Sequence, residues 1–189
     1  VEIINPVSET NLVADWQFDE VNLDGTVDNL ATADATGAAI IGHGAPNNAF
    51  APVLEFNGTG TEINLGAATQ LSTGTTDFTW SAWVKTTVTG SIQTVLGVGA
   101  PTANTAGHLY IDVTGHAEFG IDGHGGVTLA TTSAIVADDS WHHVSVTKTG
   151  NVTQMYVDGV ANGTAGDLSS TSYGLSGNAY IGVNTDGAL

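Results

Sequence analysis

The sequence of 189 residues has no cysteine and no arginine, and its only basic residues are Lys85 and Lys148. Without cysteine there is no disulfide framework, no thiolate metal site and no thiol nucleophile. Against the two lysines stand 19 acidic residues, for a formal net charge of −17. Such a chain repels the phosphates of nucleic acid and of anionic membranes, which makes both poor partners. No apolar run is long enough to cross a bilayer, so membrane insertion is not expected, and no signal-peptide pattern stands out. Helical periodicity is nearly absent as well. Val1 is not an initiator residue, and the chain is expected to be a piece of something longer.

What is present is β-structure. Hydrophobic residues make up 41% of the chain and fall in short alternating runs, which argues against disorder. The runs recur at roughly 8–12-residue spacing, separated by Gly, Asn, Asp, Thr and Ser, as in a sandwich or barrel. Strands are expected at 12–18, 53–56, 62–65, 78–85, 92–98, 109–113, 117–121, 127–130, 141–148, 154–157 and 180–183. In 78–85, alternation places Phe78, Trp80, Ala82 and Val84 on one face. Thr79, Ser81, Trp83 and Lys85 take the other, and the first set is the better core face. Trp16 and Trp141, on apolar strands, are also expected in the core. No linker, repeat or composition break divides residues 1–189, so one domain is expected, monomeric in isolation.

The most informative stretch is Trp141-His142-His143-Val144 followed by Met155-Tyr156-Val157-Asp158-Gly159, with Thr149-Gly150-Asn151 as a turn between two antiparallel strands and Asp158-Gly159 opening the next turn. This hairpin resembles the signature of the laminin-G-like, concanavalin A-like lectin-glucanase jelly-roll superfamily. Other blocks match in order: 12–20 resembles the opening strand, and Leu54-Glu55-Phe56-Asn57-Gly58 a second landmark. The run 78–85 is similar to a third, and Tyr180-Ile181-Gly182-Val183 to a late strand. The resemblance implies an all-β jelly-roll β-sandwich of two antiparallel sheets. It fits an extracellular or cell-surface recognition module, such as a domain of a large bacterial adhesin. The usual closing strand does not follow 180–183. A truncation, an insertion that splits the domain, or Glu2-Ile3-Ile4 in the vacant slot would each account for this.

The acidity itself leaves three compatible readings open: solubility in a salty medium, membership of an acidic adhesin, or carboxylates for a hard cation. Asp19, Asp24 and Asp28 lie in or beside the loop after the opening strand. They can converge on a Ca²⁺, which takes about six to eight oxygen ligands, although the spacing is not that of an EF-hand. The resemblance implies a second site at the sandwich rim, with Asn104 and His108 near Asn184 and Asp186. Calcium is thus the expected cofactor, with Asp19, Asp24, Asp28, Asn184 and Asp186 as its ligands. Asn104, His108, Tyr110, His124 and Tyr173 are the candidate ligand-binding residues, two of them aromatics on which a sugar ring could stack. The competing reading of each is ordinary turn chemistry or core packing. His142 and His143, adjacent on a strand, point to opposite faces and cannot jointly hold a metal, so both are read as structural.

Catalysis is not expected. No Glu-x-Asp-x-x-Glu-like strand presents a glycosidase acid and nucleophile; Glu55 with Glu62, and Glu118 with Asp122, lack the spacing. The lack of arginine disfavours uronate lyases, and no Gly-x-Ser-x-Gly elbow occurs. The resulting expectation is a calcium-dependent carbohydrate-binding adhesion module, partnered by a glycan and by other domains of its parent protein. A structural spacer or split scaffold domain, and a protein-binding laminin-G-like module, are the alternatives.

Overall fold

The structure, a computed structural model, describes residues 40–41, 56, 63–67, 71, 76–99, 106–121, 127–168, 175 and 177–182. Among them there is no helix. Twelve strands run in chain order: β1 (Ile40–Ile41), β2 (Ile63–Gly66), β3 (Phe78–Val84), β4 (Gln93–Val98), β5 (Gly107–Ile111) and β6 (His116–Ile121), then β7 (Val127–Ile135), β8 (His142–Thr149), β9 (Val152–Val157), β10 (Val160–Ala161), β11 (Gly166–Asp167) and β12 (Ala179–Ile181). They form two antiparallel sheets, one of seven strands in the order β1-β2-β12-β4-β5-β6-β7, the other β10-β9-β8-β3 with β11 beside β9. This is the jelly-roll β-sandwich expected from the sequence.

Turn chemistry sets the smaller sheet. Val157 pairs with Val160, leaving Asp158-Gly159 as a two-residue connection with φ of 52° and 80°. Positive φ at both central positions matches the right-handed strand twist, and Asp-Gly is among the sequences that reach it most easily. Thr149 pairs with Val152 in the same way, with Gly150-Asn151 between them. Asp77 ties this turn to β3, accepting from the Gly150 N–H at 2.8 Å and lying 3.5 Å from the Lys148 Nζ.

The core fills the space between the sheets. From the smaller sheet come Trp80, Val144, Val146 and Met155; from the larger, Leu109, Ile111, Phe119 and Ile121, all buried. The sheets are joined by three rings. Phe78 stacks on Trp80 at 4.9 Å, and Phe119 meets them edge-on at 5.7 and 5.6 Å. Offset-stacked and edge-to-face pairs suit the ring quadrupoles and add to the area they bury.

β7 runs to Ile135, well past the expected end at 130, although Thr131, Thr132 and Ser133 are polar. The Asn162 carboxamide oxygen supports this stretch, accepting from the N–H groups of Ser133 and Ala134 at 2.8 and 2.9 Å and from the Ser133 hydroxyl. Thr132 donates back to the Ala134 carbonyl and accepts from the Ala117 N–H. The Asn162 side chain is thereby engaged in the fold. Next to it, Gly163 has φ 79°, and a Cβ there would lie 1.8 Å from the Thr131 carbonyl oxygen.

Gly163→Ala is therefore expected to cost more than the ~1–2 kcal/mol of a left-handed backbone alone, a fall in melting temperature of at least roughly 4 °C. Gly150→Ala has φ 57° and open space around it, so only the backbone cost applies. Equal falls for the two variants in scanning calorimetry would show that the contact with Thr131 is not what constrains this turn.

Candidate functional site

Most of the candidate residues from the sequence, Asp19, Asp24, Asp28, Asn104, His124, Tyr173, Asn184 and Asp186, lie outside the described residues. His108 and Tyr110 are described. Both sit in β5 on the face turned away from the core, and they are 0% and 4% exposed. The Tyr110 hydroxyl donates to Glu118 Oε2 at 2.6 Å, and the Thr131 hydroxyl donates to Oε1 at 2.8 Å. This links a row of residues paired across three strands. Tyr110, Glu118 and Thr131 thus form a polar network on the sheet, in which Tyr110 is buried and the other two are half-buried. Among the described residues, no group of three or more His, Cys, Asp or Glu is placed to hold a metal ion.

The open aromatic surface lies elsewhere, on the outer face of the smaller sheet. β3 pairs with β8 without interruption, from Phe78 opposite Lys148 to Val84 opposite His142. With Trp80 turned inward, alternation sends Trp83 out, where it is 64% exposed. Its cross-strand partner is His143, and the two rings lie 5.4 Å apart at 57°. One row along the strands, Ser81, Ser145 and Tyr156 are paired across β3, β8 and β9. The next row is Thr79, Thr147 and Gln154. Tyr156 is thus a diagonal neighbour of His143, within the reach of large side chains on one sheet face. The arrangement is an aromatic end, Trp83, His143 and Tyr156, leading onto rows of hydroxyl and amide groups.

Trp141 corrects an expectation. Its apolar strand predicts a core position, but it is 48% exposed. It precedes the first ladder residue of β8 and shares the parity of His143 and Ser145, whose row faces out. A bend at 138–140 leads into it, with Asp139 at φ 70°. The Asp139 N–H donates to the Thr86 carbonyl, and its carboxylate pairs with Lys85 at 3.3 Å. Trp83, His143 and Tyr156 were not singled out as a site from the sequence. The available signal was parity along β3, β8 and β9, but only the register shows that the three are neighbours.

His142 takes the opposite side, as alternation requires, and sits between two carboxylates. Its Nδ1 is 2.9 Å from Asp158 Oδ2, and its Nε2 is 3.2 Å from Asp138 Oδ1. Carboxylates only accept, so full use of both contacts requires the imidazolium, which donates through both nitrogens. Asp158 also accepts the His143 N–H through Oδ1. The hydrogen bond to Asp158 raises the His142 pKa above its ordinary 6.5; burial opposes it, and the bond to Asp138 adds to the rise. Asp158 is lowered by the same bond to His142 and by the His143 N–H. Asp138 is lowered first by the Ser140 N–H and further by His142. For Asp112, burial pushes the pKa up, but bonds from the His116 N–H and from Thr114 bring it below the ordinary value. A glycosidase acid must hold its proton near neutrality, and these three carboxyls are shifted the other way.

The clamp has a defined pH dependence. A raised histidine pKa contributes stability that is complete below 6.5 and is lost as the pH rises through the folded value. The lowered Asp138 and Asp158 contribute above 3.8 and lose that contribution as the pH falls through their folded values. The clamp is therefore strongest between those limits. The melting temperature of the wild type should fall relative to that of His142→Gln as the pH is raised from about 6 to about 9. Parallel curves over that range would show that His142 is not clamped as the imidazolium.

A laminin G family profile, described as the concanavalin A-like lectin/glucanases superfamily, matches residues 57–188. No curated protein sequence matches the chain. Among solved structures, the binding domain of Paraclostridial Mosquitocidal Protein 1 is similar with a TM-score of 0.64 at 12% identity, over 82% of this chain and 41% of that one. Mouse laminin alpha1 chain domains LG4-5 give 0.51 at 21% identity, over 84% and 36%. The CBM40 of the Ruminococcus gnavus IT-sialidase, bound to alpha2,3 sialyllactose, gives 0.51 at 19%, over 67% and 77%. At such identities the likeness is one of fold, and the chain spans about two fifths of the toxin and laminin structures. With well over half of its residues inside the family match, the chain belongs to the concanavalin A-like lectin/glucanases superfamily.

Proposed function

We propose that this chain is a non-catalytic carbohydrate-binding module of a larger extracellular or cell-surface protein, used for adhesion. The observation that carries the proposal is the solvent-exposed Trp83, with His143 beside it and Tyr156 diagonal to it, on an open sheet face. Sugar rings lay apolar C–H faces on aromatic rings and use their hydroxyls on neighbouring polar groups, and this face offers both. An exposed tryptophan has no evident use in the core of the sandwich. Structures of similar fold include the CBM40 with its sialyllactose and toxin binding domains, so a binding role is in keeping with the architecture.

Calcium belongs to the proposal on the strength of the sequence. Asp19, Asp24 and Asp28 after the opening strand, and Asn184 and Asp186 near the end of the chain, are the oxygen donors that would hold it. A hard cation with exchangeable oxygen coordination would stiffen those loops or meet vicinal hydroxyls directly.

The test is a glycan array probed with the labelled chain in millimolar Ca²⁺ and again in chelator. Binding is expected with calcium and is expected to weaken in chelator; equal binding in both would remove calcium from the proposal. Trp83→Ala should weaken capture by about tenfold, about 1.4 kcal/mol, and leave the melting temperature within a degree or so. Silence of the folded protein across the array in both conditions would overturn the carbohydrate reading in favour of a spacer domain.

A further inference from the structure

We infer that the face built on Trp83, His143 and Tyr156 selects neutral glycans and rejects sialylated, uronate-bearing and sulfated ones. The inference rests on the carbohydrate reading above and adds the chemical class of the ligand.

The first argument is the supply of cations. Recognition of a carboxylate or sulfate favours a guanidinium or ammonium group, whose donors match the anion. The sequence contains no arginine and two lysines. Lys85, two residues beyond Trp83, is paired with Asp139 at 3.3 Å. Lys148 lies in the row of Phe78, at the other end of β3, with its side chain 2% exposed and directed to the Thr76 carbonyl and to Asp77. His142 is turned to the opposite side and held between Asp138 and Asp158. The aromatic end therefore has one lysine near it, and that lysine is already engaged.

The second argument is the sign of the surroundings. Asp138, Asp139 and Asp158 stand at the same end of the sheet as Trp83 and His143, with side chains from about half to more than two thirds exposed. The overall charge of −17 adds a repulsive field for any anionic ligand. A neutral sugar carries no charge for these carboxylates to repel. Beyond the rings, the exposed Ser81 and Thr79 and the half-buried Thr147 can both donate and accept, and Gln154 offers its amide oxygen, its NH2 group donating to the Met155 and Asn162 carbonyls. They stand in successive cross-strand rows about 7 Å apart along the strands. A hydroxyl-rich chain with no formal charge fits every part of this surface.

The test uses matched glycan pairs that differ by one anionic group: a lactose-terminated glycan and its sialylated form, and a neutral polysaccharide and its sulfated form. The measurements are made in Ca²⁺ at about pH 8, above the ordinary histidine range, at low and at physiological salt. The neutral member of each pair should bind at least tenfold more tightly, and the gap should widen at low salt, where repulsion reaches further. Asp139→Asn keeps a residue that tolerates the left-handed backbone, removes one carboxylate and frees Lys85. It should narrow the gap severalfold and leave the neutral glycan's affinity within about twofold. Equal or tighter binding of the anionic members would overturn the inference and leave the carbohydrate reading standing. Neutral binding that survives Trp83→Ala would place the selectivity on another surface and overturn it too. Silence for every glycan would overturn both readings.

Discussion

The unbroken ladder between β3 and β8 is the constraint on which the rest depends. Seven consecutive pairs run from Phe78–Lys148 to Val84–His142. Because side chains alternate strictly, a slip of one residue would exchange every inward and outward side chain on these strands. The ladder therefore decides at once that Trp80 meets Phe119 in the core, that Trp83 stands in solvent beside His143, and that His142 reaches Asp138 and Asp158. Fixing one of these facts fixes the others. The burial of Trp80, Val144 and Val146 holds the register, and the surface follows from it.

Polar devices hold the ladder at both ends. Near Phe78, Asp77 connects the Gly150 turn and Lys148 to the start of β3. Near Val84, Lys85 meets Asp139, the Asp139 N–H meets Thr86, and His142 joins the 138–140 bend to the Asp158-Gly159 turn. Exposed ion pairs contribute little singly, but here several converge on one bend and limit its freedom. A surface tryptophan needs such rigid surroundings if it is to serve as a platform, because ordering it on binding would cost affinity.

Much of this was legible in the sequence. The Asp-Gly turn, the inward set of β3 and the opposed histidines all follow from local rules, because a turn with two positive φ angles and a two-residue repeat leave few alternatives. Hydrophobicity alone points Trp141 to the core, but parity along β8 decides its side. The odd-numbered residues of β8 face out, since Val144 and Val146 face in. The length of β7 was hidden because Asn162, about thirty residues further on, supplies the bonds that carry the strand through Thr131 to Ser133. The aromatic platform was hidden for the same kind of reason. Trp83, His143 and Tyr156 are far apart along the chain, and nothing local announces that they share a face. The resemblance puts His108 at the sandwich rim, and Tyr110 stands out in the sequence as an aromatic at the start of a strand. The register instead places Tyr110 opposite Glu118, where its hydroxyl is engaged.

A sheet face also limits the kind of binding that can be proposed for it. A flat platform covers one side of a sugar ring and leaves the other in water, so little surface is buried and the affinity per site is low. A deep pocket would reverse this, but it would need long loops to wall the ligand in. The turns that join β8 to β9 and β9 to β10, Gly150-Asn151 and Asp158-Gly159, are only two residues long. Useful avidity on such a surface comes from repetition, either several sugars along one chain or several copies of the domain, since a second linked contact sees a high effective concentration. The open hydroxyl rows leading away from Trp83 allow the first of these, and a place in a larger protein allows the second. The same shallowness makes electrostatics decisive. When few contacts favour binding, a single repelled anionic group suffices to prevent it.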